Sequence, residues 1–438
     1  MIFIYNLLFP LVLVAFLPGL VFKLIRRGGR KKGYAERFGI FSDGKKLALS
    51  SLGNPVWVHA VSVGETQMAL TFIRKWKKAD PSQDFVLSTT TTTGQELASA
   101  KAPEGTVVIF SPLDFFLFVR IAVNLIKPEM LVIFETELWP NMICEVRRSG
   151  AKIALVNARI SDRSAGRYEA FRCFFGPLLR KIDCICAQTE QDKTRLDAIS
   201  ENLPVQIIGN MKFDQEIPAN PPEFDLGQYF GQEPSTIILG ASTHPGEEKL
   251  IAEKFLNLKK LYPSLRFISI PRHAERGAEI AAEFRSLGMS FVRRSEKTVP
   301  GKPVDCLLAD TTGEMLGFMA KSDIVIVGKS FAGHNEGQNI IEPALLGKAI
   351  VTGPEMRNFR FVHKVLREAH GVFAAESDDK LESALGKLIS DEKHRHELGE
   401  KASAEIAKHR GSTERTIQLL EKMKFCSRNN KAGDLCHP

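Results

Sequence analysis

Short apolar runs rich in valine and isoleucine recur along this chain, each followed by a stretch of helical character. That alternation limits the possible folds more than any other feature. The first series is Val56–Val61, Phe85–Ser88, Val107–Phe110, Leu131–Phe134, Ile153–Val156, Cys184–Ala187 and Val205–Ile208, with helical stretches such as Thr66–Lys78 and Tyr168–Phe175 between them. Runs of this length that are apolar on both faces belong to parallel sheets covered by helices on each side. The polar, proline-rich stretch from Glu216 to Asp225 cannot continue a sheet and reads as a linker. The pattern then restarts with Ile237–Leu239, Arg266–Ile270, Cys306–Leu308, Ile324–Val327 and Ala349–Thr352, with helices over Glu247–Leu261, Ala274–Leu287 and Glu314–Lys321. Three helical stretches near Asp378–Ser390, Glu392–His409 and Ser412–Lys424 close the chain. At 438 residues it has room for two ordinary domains. The fold class is therefore α/β, with two doubly wound, Rossmann-like domains and a cleft expected between them. The expected boundaries are 23–215 for the first domain, 216–234 for the linker, 235–425 for the second domain with its C-terminal helices, and 426–438 for a tail.

The first 22 residues depart from this pattern. Residues 2–22 carry no charge, and Lys23, Arg26, Arg27, Arg30, Lys31 and Lys32 follow at once. Twenty-one uncharged residues at helical rise are just long enough to cross a hydrocarbon core. Charges that follow the run, rather than precede it, argue against a cleaved signal and keep the rest of the chain in the cytoplasm. Residues 1–22 are thus expected to be an N-terminal membrane anchor helix, single-pass, with the basic cluster on anionic head groups. A segment lying in the interface is the competing reading. The net charge of +8 is compatible with anionic partners in general, and no nucleic-acid partner is expected. Seven scattered cysteines, an odd number, argue for free thiols, and no metal-ligand spacing appears.

Several strand ends carry groups suited to chemistry. The segment from Trp57 to Glu65 is a strand, a small-residue loop and then a carboxylate at a helix start. Glu135 and Glu137 occupy the same setting after the strand that ends at Phe134. Two readings stand for Glu65: a general base at the carboxyl end of a sheet, or an acid that complements a helix dipole. In the second half, Leu239–Glu247 and Asp310–Met315 leave strands through small residues and enter helices, as phosphate-binding loops do and as ordinary caps also do. Arg272 ends another strand, where it can fork onto a phosphate or be an ordinary exposed arginine. The glycine- and amide-rich segment Val327–Pro343 brings Asn339 and Glu342 to a helix start, three apart and on one side. Such a carboxylate can accept from both ribose hydroxyls, and a capping box has the same spacing.

These motifs, taken in order, resemble those of the 3-deoxy-D-manno-octulosonic acid (Kdo) transferases, glycosyltransferases of GT-B architecture. The resemblance runs over residues 1 to 425. It rests on Glu36-Arg-Phe-Gly39, Trp57-Val-His-Ala-Val-Ser-Val-Gly-Glu65, Thr89-Thr-Thr-Thr-Thr-Gly94, Glu135-Thr-Glu-Leu-Trp-Pro140, Asn157-Ala-Arg159 and Gly209-Asn-Met-Lys212. In the second half it rests on Gly240-Ala-Ser-Thr-His244, Pro271-Arg-His273, Asp310-Thr-Thr-Gly-Glu314 and Gly337-Gln-Asn-Ile-Ile-Glu342. The resemblance implies an inverting, metal-independent transfer of Kdo from CMP-Kdo to a lipid A precursor at the bacterial inner membrane, with no cofactor. It makes the first domain the acceptor side and the second the CMP-Kdo side. Glu65 is implied as general base, with Glu135 and Lys212 stabilising the transition state. Pro271, Arg272, Thr312, Gly313, Glu314, Asn339, Ile340, Ile341 and Glu342 are implied as the CMP site. Lys31, Lys32 and Arg37 are candidates for acceptor phosphates. The segment Ala332–Glu336 intervenes before Gly337 where relatives run directly into the turn, so His334 and Asn335 compete for the motif position. Asn339 is aligned because Glu342 and Pro343 follow it. Other readings are a hexosamine transferase, a sugar-nucleotide 2-epimerase, or a membrane-anchored binding module without catalysis.

Overall fold

The computed structural model describes residues 2–10, 33–217, 222–231 and 236–432. The chain forms two compact units. One runs to Asp214 and takes the chain back at Arg410; the other is Gln215–His409.

The first unit holds a seven-stranded parallel sheet made of β1 (Val56–Ala60), β2 (Phe85–Thr89), β3 (Thr106–Phe110), β4 (Met130–Phe134), β5 (Lys152–Ala158), β6 (Cys184–Ala187) and β7 (Val205–Ile207), in the order β3-β2-β1-β4-β5-β6-β7. Side chains alternate across it. Trp57, Leu131 and Ile133 pack on one face, and Val56, Val58, Val132 and Phe134 on the other. Both faces are buried, which is why these strands read as continuous apolar runs. An aromatic knot of Phe72, Trp76, Phe85 and Phe134 at 5.2–5.7 Å seats the helix Val63–Ala79 on the second face.

The second unit repeats the plan with β8 (Thr236–Thr243), β9 (Leu265–Pro271), β10 (Phe291–Arg293), β11 (Cys306–Leu308), β12 (Ile324–Val327), β13 (Ala349–Thr352) and β14 (Phe373–Ala374), in the order β10-β11-β9-β8-β12-β13-β14. In both sheets the order reverses beside the first strand, between β1 and β4 and between β8 and β12. Loops leaving the carboxyl ends of those strands diverge there, and open α/β sheets bind ligands at that point.

Three expectations differ from the structure. The short strands β10 and β14, of three and two residues, carry too little pattern to be seen in sequence. The helix Ser412–Ala432, expected to close the second domain, belongs to the first unit. Its Ile417 and Leu420 sit in that unit's core, and Lys424 reaches Glu129 at 3.2 Å. Buried Asp214 accepts from the N–H groups of Gly411 and Thr413, both at 2.5 Å, and so fixes the start of this helix.

The third difference concerns the N-terminus. Among the described residues no helix is long and apolar enough to cross a membrane. Residues 2–10 are helical and dock by polar contacts: Tyr5 donates to Asp114 at 3.0 Å, Asn6 exchanges hydrogen bonds with Asn141, and Phe9 stacks on Phe115. Residues 11–22 of the expected anchor lie outside the described residues, as do Lys31 and Lys32.

Candidate functional site

In the first unit the site residues gather where β1 and β4 diverge. Glu65 is the third residue of Val63–Ala79, the helix that follows β1. Ser62 Oγ accepts from the Glu65 N–H at 3.2 Å, and Glu65 Oε1 accepts from the Ser62 hydroxyl at 2.6 Å. Its Oε1 also accepts from the Ser62 N–H at 3.3 Å, so the sequence Ser-Val-Gly-Glu closes a full capping box, and its Oε2 accepts from the Val61 N–H at 2.8 Å. The capping geometry is therefore real. The carboxyl is nevertheless 5% exposed, unlike the usual solvated dipole partner. Burial pushes its pKa above the ordinary 4.5; the Ser62 and Val61 hydrogen bonds oppose this, and the charges of Glu135 and Glu137 add to it. A carboxylate raised in this way is a stronger base than a solvated one.

Glu135 follows β4 in a left-handed conformation, φ 55°, which costs a side-chain-bearing residue free energy. Its N–H still reaches the Val156 carbonyl at 2.9 Å, so the strain turns the side chain out of the sheet without breaking the ladder. The carboxylate meets Lys212 Nζ at 3.3 Å. Lys212 lies in the single turn Met211–Asp214, which is held by two asparagines. Asn157, itself at φ 53° where β5 slips register against β6, accepts from the Met211 N–H at 2.9 Å. Asn210 accepts from the Lys212 N–H at 2.9 Å. The structure thus brings Glu135 and Lys212 into one ion pair and leaves Glu65 near enough to feel both acids of the β4 loop. Arg37 lies in the short helix Tyr34–Phe38. Its guanidinium donates to the Thr90 carbonyl and lies over the Phe110 ring at 4.5 Å, and burial lowers its pKa. It is a brace for the loop after β2.

In the second unit the expected CMP residues follow β9, β11 and β12, three of four adjacent strands. Pro271 ends β9, and Arg272 is exposed with its N–H on the Thr243 carbonyl at 2.9 Å. Thr312 and Gly313 are exposed after β11, and nothing lies within 4 Å of a Cβ built at Gly313. Glu314 is clamped by Arg294 at 2.8 Å and by the Thr311 hydroxyl. Burial opposes its ionisation, yet these partners hold the carboxyl below the ordinary range. After β12, Asn339 Nδ2 donates to Gln215 Oε1 at 3.0 Å, and Gln215 Nε2 donates to Glu342 Oε1 at 2.9 Å. Ile340 and Ile341 are fully buried, and the Ile341 N–H donates to Asn339 Oδ1 at 3.0 Å. Gln215 and Arg294 were missed in sequence, because a lone amide and a lone arginine carry no pattern there.

The loop after β8 has two sequence readings, a phosphate loop or an ordinary cap of the helix Glu247–Leu261, and the structure favours the second. Its anion position is filled by the protein itself. Buried Glu247 accepts from the N–H groups of His244, Lys329, Ser330 and Phe331 at 2.7–2.9 Å. An external phosphate therefore has no place in this nest. Among the described residues, no three His, Cys, Asp or Glu side chains gather as metal ligands do.

Residues 32–215 match the family model described as 3-Deoxy-D-manno-octulosonic-acid transferase (kdotransferase). A 3-deoxy-D-manno-octulosonic acid transferase of Bordetella pertussis is 32% identical over 409 residues, covering 90% of this chain and 94% of the relative. One from Haemophilus influenzae is 29% identical over 392 residues, covering 88% and 90%. Among solved structures, a glycosyltransferase from Rickettsia africae superposes with a TM-score of 0.57 at 12% identity, over 84% of this chain and 98% of that one. A UDP-GlcNAc 2-epimerase from Neisseria meningitidis gives 0.56 at 14%, over 84% and 100%. These two show the fold, a pair of parallel-sheet α/β domains of the kind found in GT-B glycosyltransferases. Strand-end motifs in both units and sequence relationship over nine-tenths of its length make this chain a member of the 3-deoxy-D-manno-octulosonic acid transferase family.

Proposed function

We infer that this protein is an inverting glycosyltransferase that moves Kdo from CMP-Kdo to a lipid A precursor in lipopolysaccharide biosynthesis. Family membership supports the reaction. The observation that carries the mechanism is the raised carboxyl of Glu65 at the strand-order reversal of the first unit, beside the strained Glu135 and its partner Lys212. Glu65 takes the proton from the acceptor hydroxyl as that oxygen attacks the anomeric carbon from the face opposite the leaving group. Lys212, oriented by Glu135, offsets negative charge as it develops. In the second unit, Arg272 meets the departing phosphate, and Asn339 and Glu342 hold the nucleoside with Gln215 behind them. An epimerase shares the fold, but only transferases are among the sequence relatives named above. The test is direct: purified protein with CMP-Kdo and a lipid A precursor releases CMP and yields a Kdo-bearing lipid. Absence of both products rejects the assignment.

The acceptor is a lipid, and we place the protein on the inner membrane through its N-terminal segment. The reading is supported by the helix over residues 2–10, whose Phe3, Ile4, Leu7 and Leu8 are 50–77% exposed. Apolar side chains in such a patch gain by entering a bilayer interface. The uncharged residues 11–22 and the basic residues after them extend the same segment. Serine at Phe3, Leu7 and Leu8 together is expected to reduce flotation with anionic lipid vesicles severalfold. Unchanged flotation would reject a role for this patch.

A further inference from the structure

The strand-order reversal of the second unit holds a group of cationic and imidazole side chains that the mechanism above does not use. The β8 strand shifts register against β9 between Ala241 and Thr243, with Ser242 at φ 55°. This bulge delivers His244 to the carboxyl end of β8, and Lys329, two residues past the end of β12, stands at φ 61°. Gly328 lets the two strand ends close, since a Cβ there would stand 2.4 Å from the Ser242 carbonyl oxygen. The Gln338 amide meets His244 Nε2 at 2.8 Å, and the rings of His334 and His273 lie 5.6 and 6.1 Å from the His244 ring. His334 is set by its own Nε2 on the Pro245 carbonyl at 3.1 Å. Backbone strain at two strand ends, with a fixed imidazole between them, is built into the fold and is the sort retained for binding.

The surroundings say what kind of group belongs there. Burial depresses the pKa of His244 to about 4, and Lys329, His334, His273 and Arg272 all act in the same sense. The acids within reach are already engaged. Glu247 is spent on backbone N–H groups, Glu336 faces Lys329 at 3.6 Å, and Glu275 faces His273 at 3.4 Å. Cationic and imidazole groups that converge on one imidazole favour an oxyanion there over a metal ion. The proposed donor brings two: the phosphate, and the carboxylate of an acid sugar. Arg272, after β9, serves the phosphate. We propose that His244, oriented by Gln338 and backed by Lys329 and His334, seats the carboxylate of the transferred sugar and so selects an acidic donor. This rests on the Kdo-transferase reading.

Calorimetric titration of the full-length protein with CMP and with CMP-Kdo tests it. His244→Ala is expected to weaken CMP-Kdo binding roughly ten-fold or more while leaving CMP within about two-fold, which also shows that the variant folds. Gln338→Ala shifts the same ratio in the same direction, less strongly. Wild-type binding of CMP-Kdo near pH 6 takes up more protons than binding of CMP, as His244 charges against its new partner, and His244→Ala removes the difference. Equal loss of both ligands in both variants would assign the seat to phosphate and overturn the proposal. Unchanged CMP-Kdo affinity would overturn it too. Wild-type protein that binds CMP but never CMP-Kdo fails the transferase reading itself, a distinct result.

Discussion

The carboxyl of Glu65 closes a helix cap and, in our reading, takes a proton, and the two roles respond differently to substitution. Glutamine keeps one acceptor oxygen for Ser62 and gives up the one on the Val61 N–H, a loss of about 1 kcal/mol that the fold can absorb. It removes the base outright, so turnover is expected to fall about 10²–10⁴-fold with the melting temperature only slightly lowered. Large loss of stability with turnover retained would make Glu65 a cap and nothing else. The sign of the pH dependence follows from the raised pKa. The active form is the ionised one, so kcat/KM falls as pH drops, with an acid limb above 4.5. The same shift means that the stabilising protonated form of this group is lost as pH rises through its folded pKa. Glu137→Gln removes one of the charges that raise Glu65, and its acid limb is expected to move down.

Among elements, the loops after β8 and β12 are held as one body by Glu247. Four backbone N–H groups converge on its two oxygens, so the helix Glu247–Leu261 carries the anchor for a loop more than eighty residues away. Burial raises the Glu247 carboxyl while those hydrogen bonds oppose the rise. Glu247→Gln leaves one oxygen for four donors and is expected to destabilise the second unit by roughly 3 kcal/mol, because buried donors without acceptors are costly. Denaturant unfolding measures it, and a change under about 0.5 kcal/mol would refute the anchoring role. Here the sequence left both readings open, a phosphate loop and a helix cap. A glycine- and threonine-rich loop before a helix looks the same whether its anion arrives from outside or from the helix's own first residue. Position along the chain does not say which oxygen fills a nest.

At the scale of the whole molecule, the chain leaves the first unit at Asp214 and returns to it at Arg410. Ending the chain at His409 would delete Ile417 and Leu420 from the first unit's core and leave Asp214 without its two N–H partners. Hydrogen exchange is expected to rise across the first sheet while the second unit keeps its protection and its affinity for CMP. Uniform protection in both units would contradict this division. Much of the architecture was legible beforehand. Doubly buried strands announce themselves as Val/Ile runs, a proline-rich break ends a domain, and polar residues at strand ends mark where ligands bind, because each of these is a local demand on composition. The sequence by itself therefore determined two parallel-sheet units and the strand ends bearing Glu65, Glu135, Arg272 and Asn339. Only the tertiary structure decided that Lys212 meets Glu135, that Gln215 bridges Asn339 and Glu342, that Arg37 is a brace, and that the last helix returns to the first unit. Those outcomes depend on distances between residues far apart in the chain, which the packing of whole elements sets and no local pattern encodes.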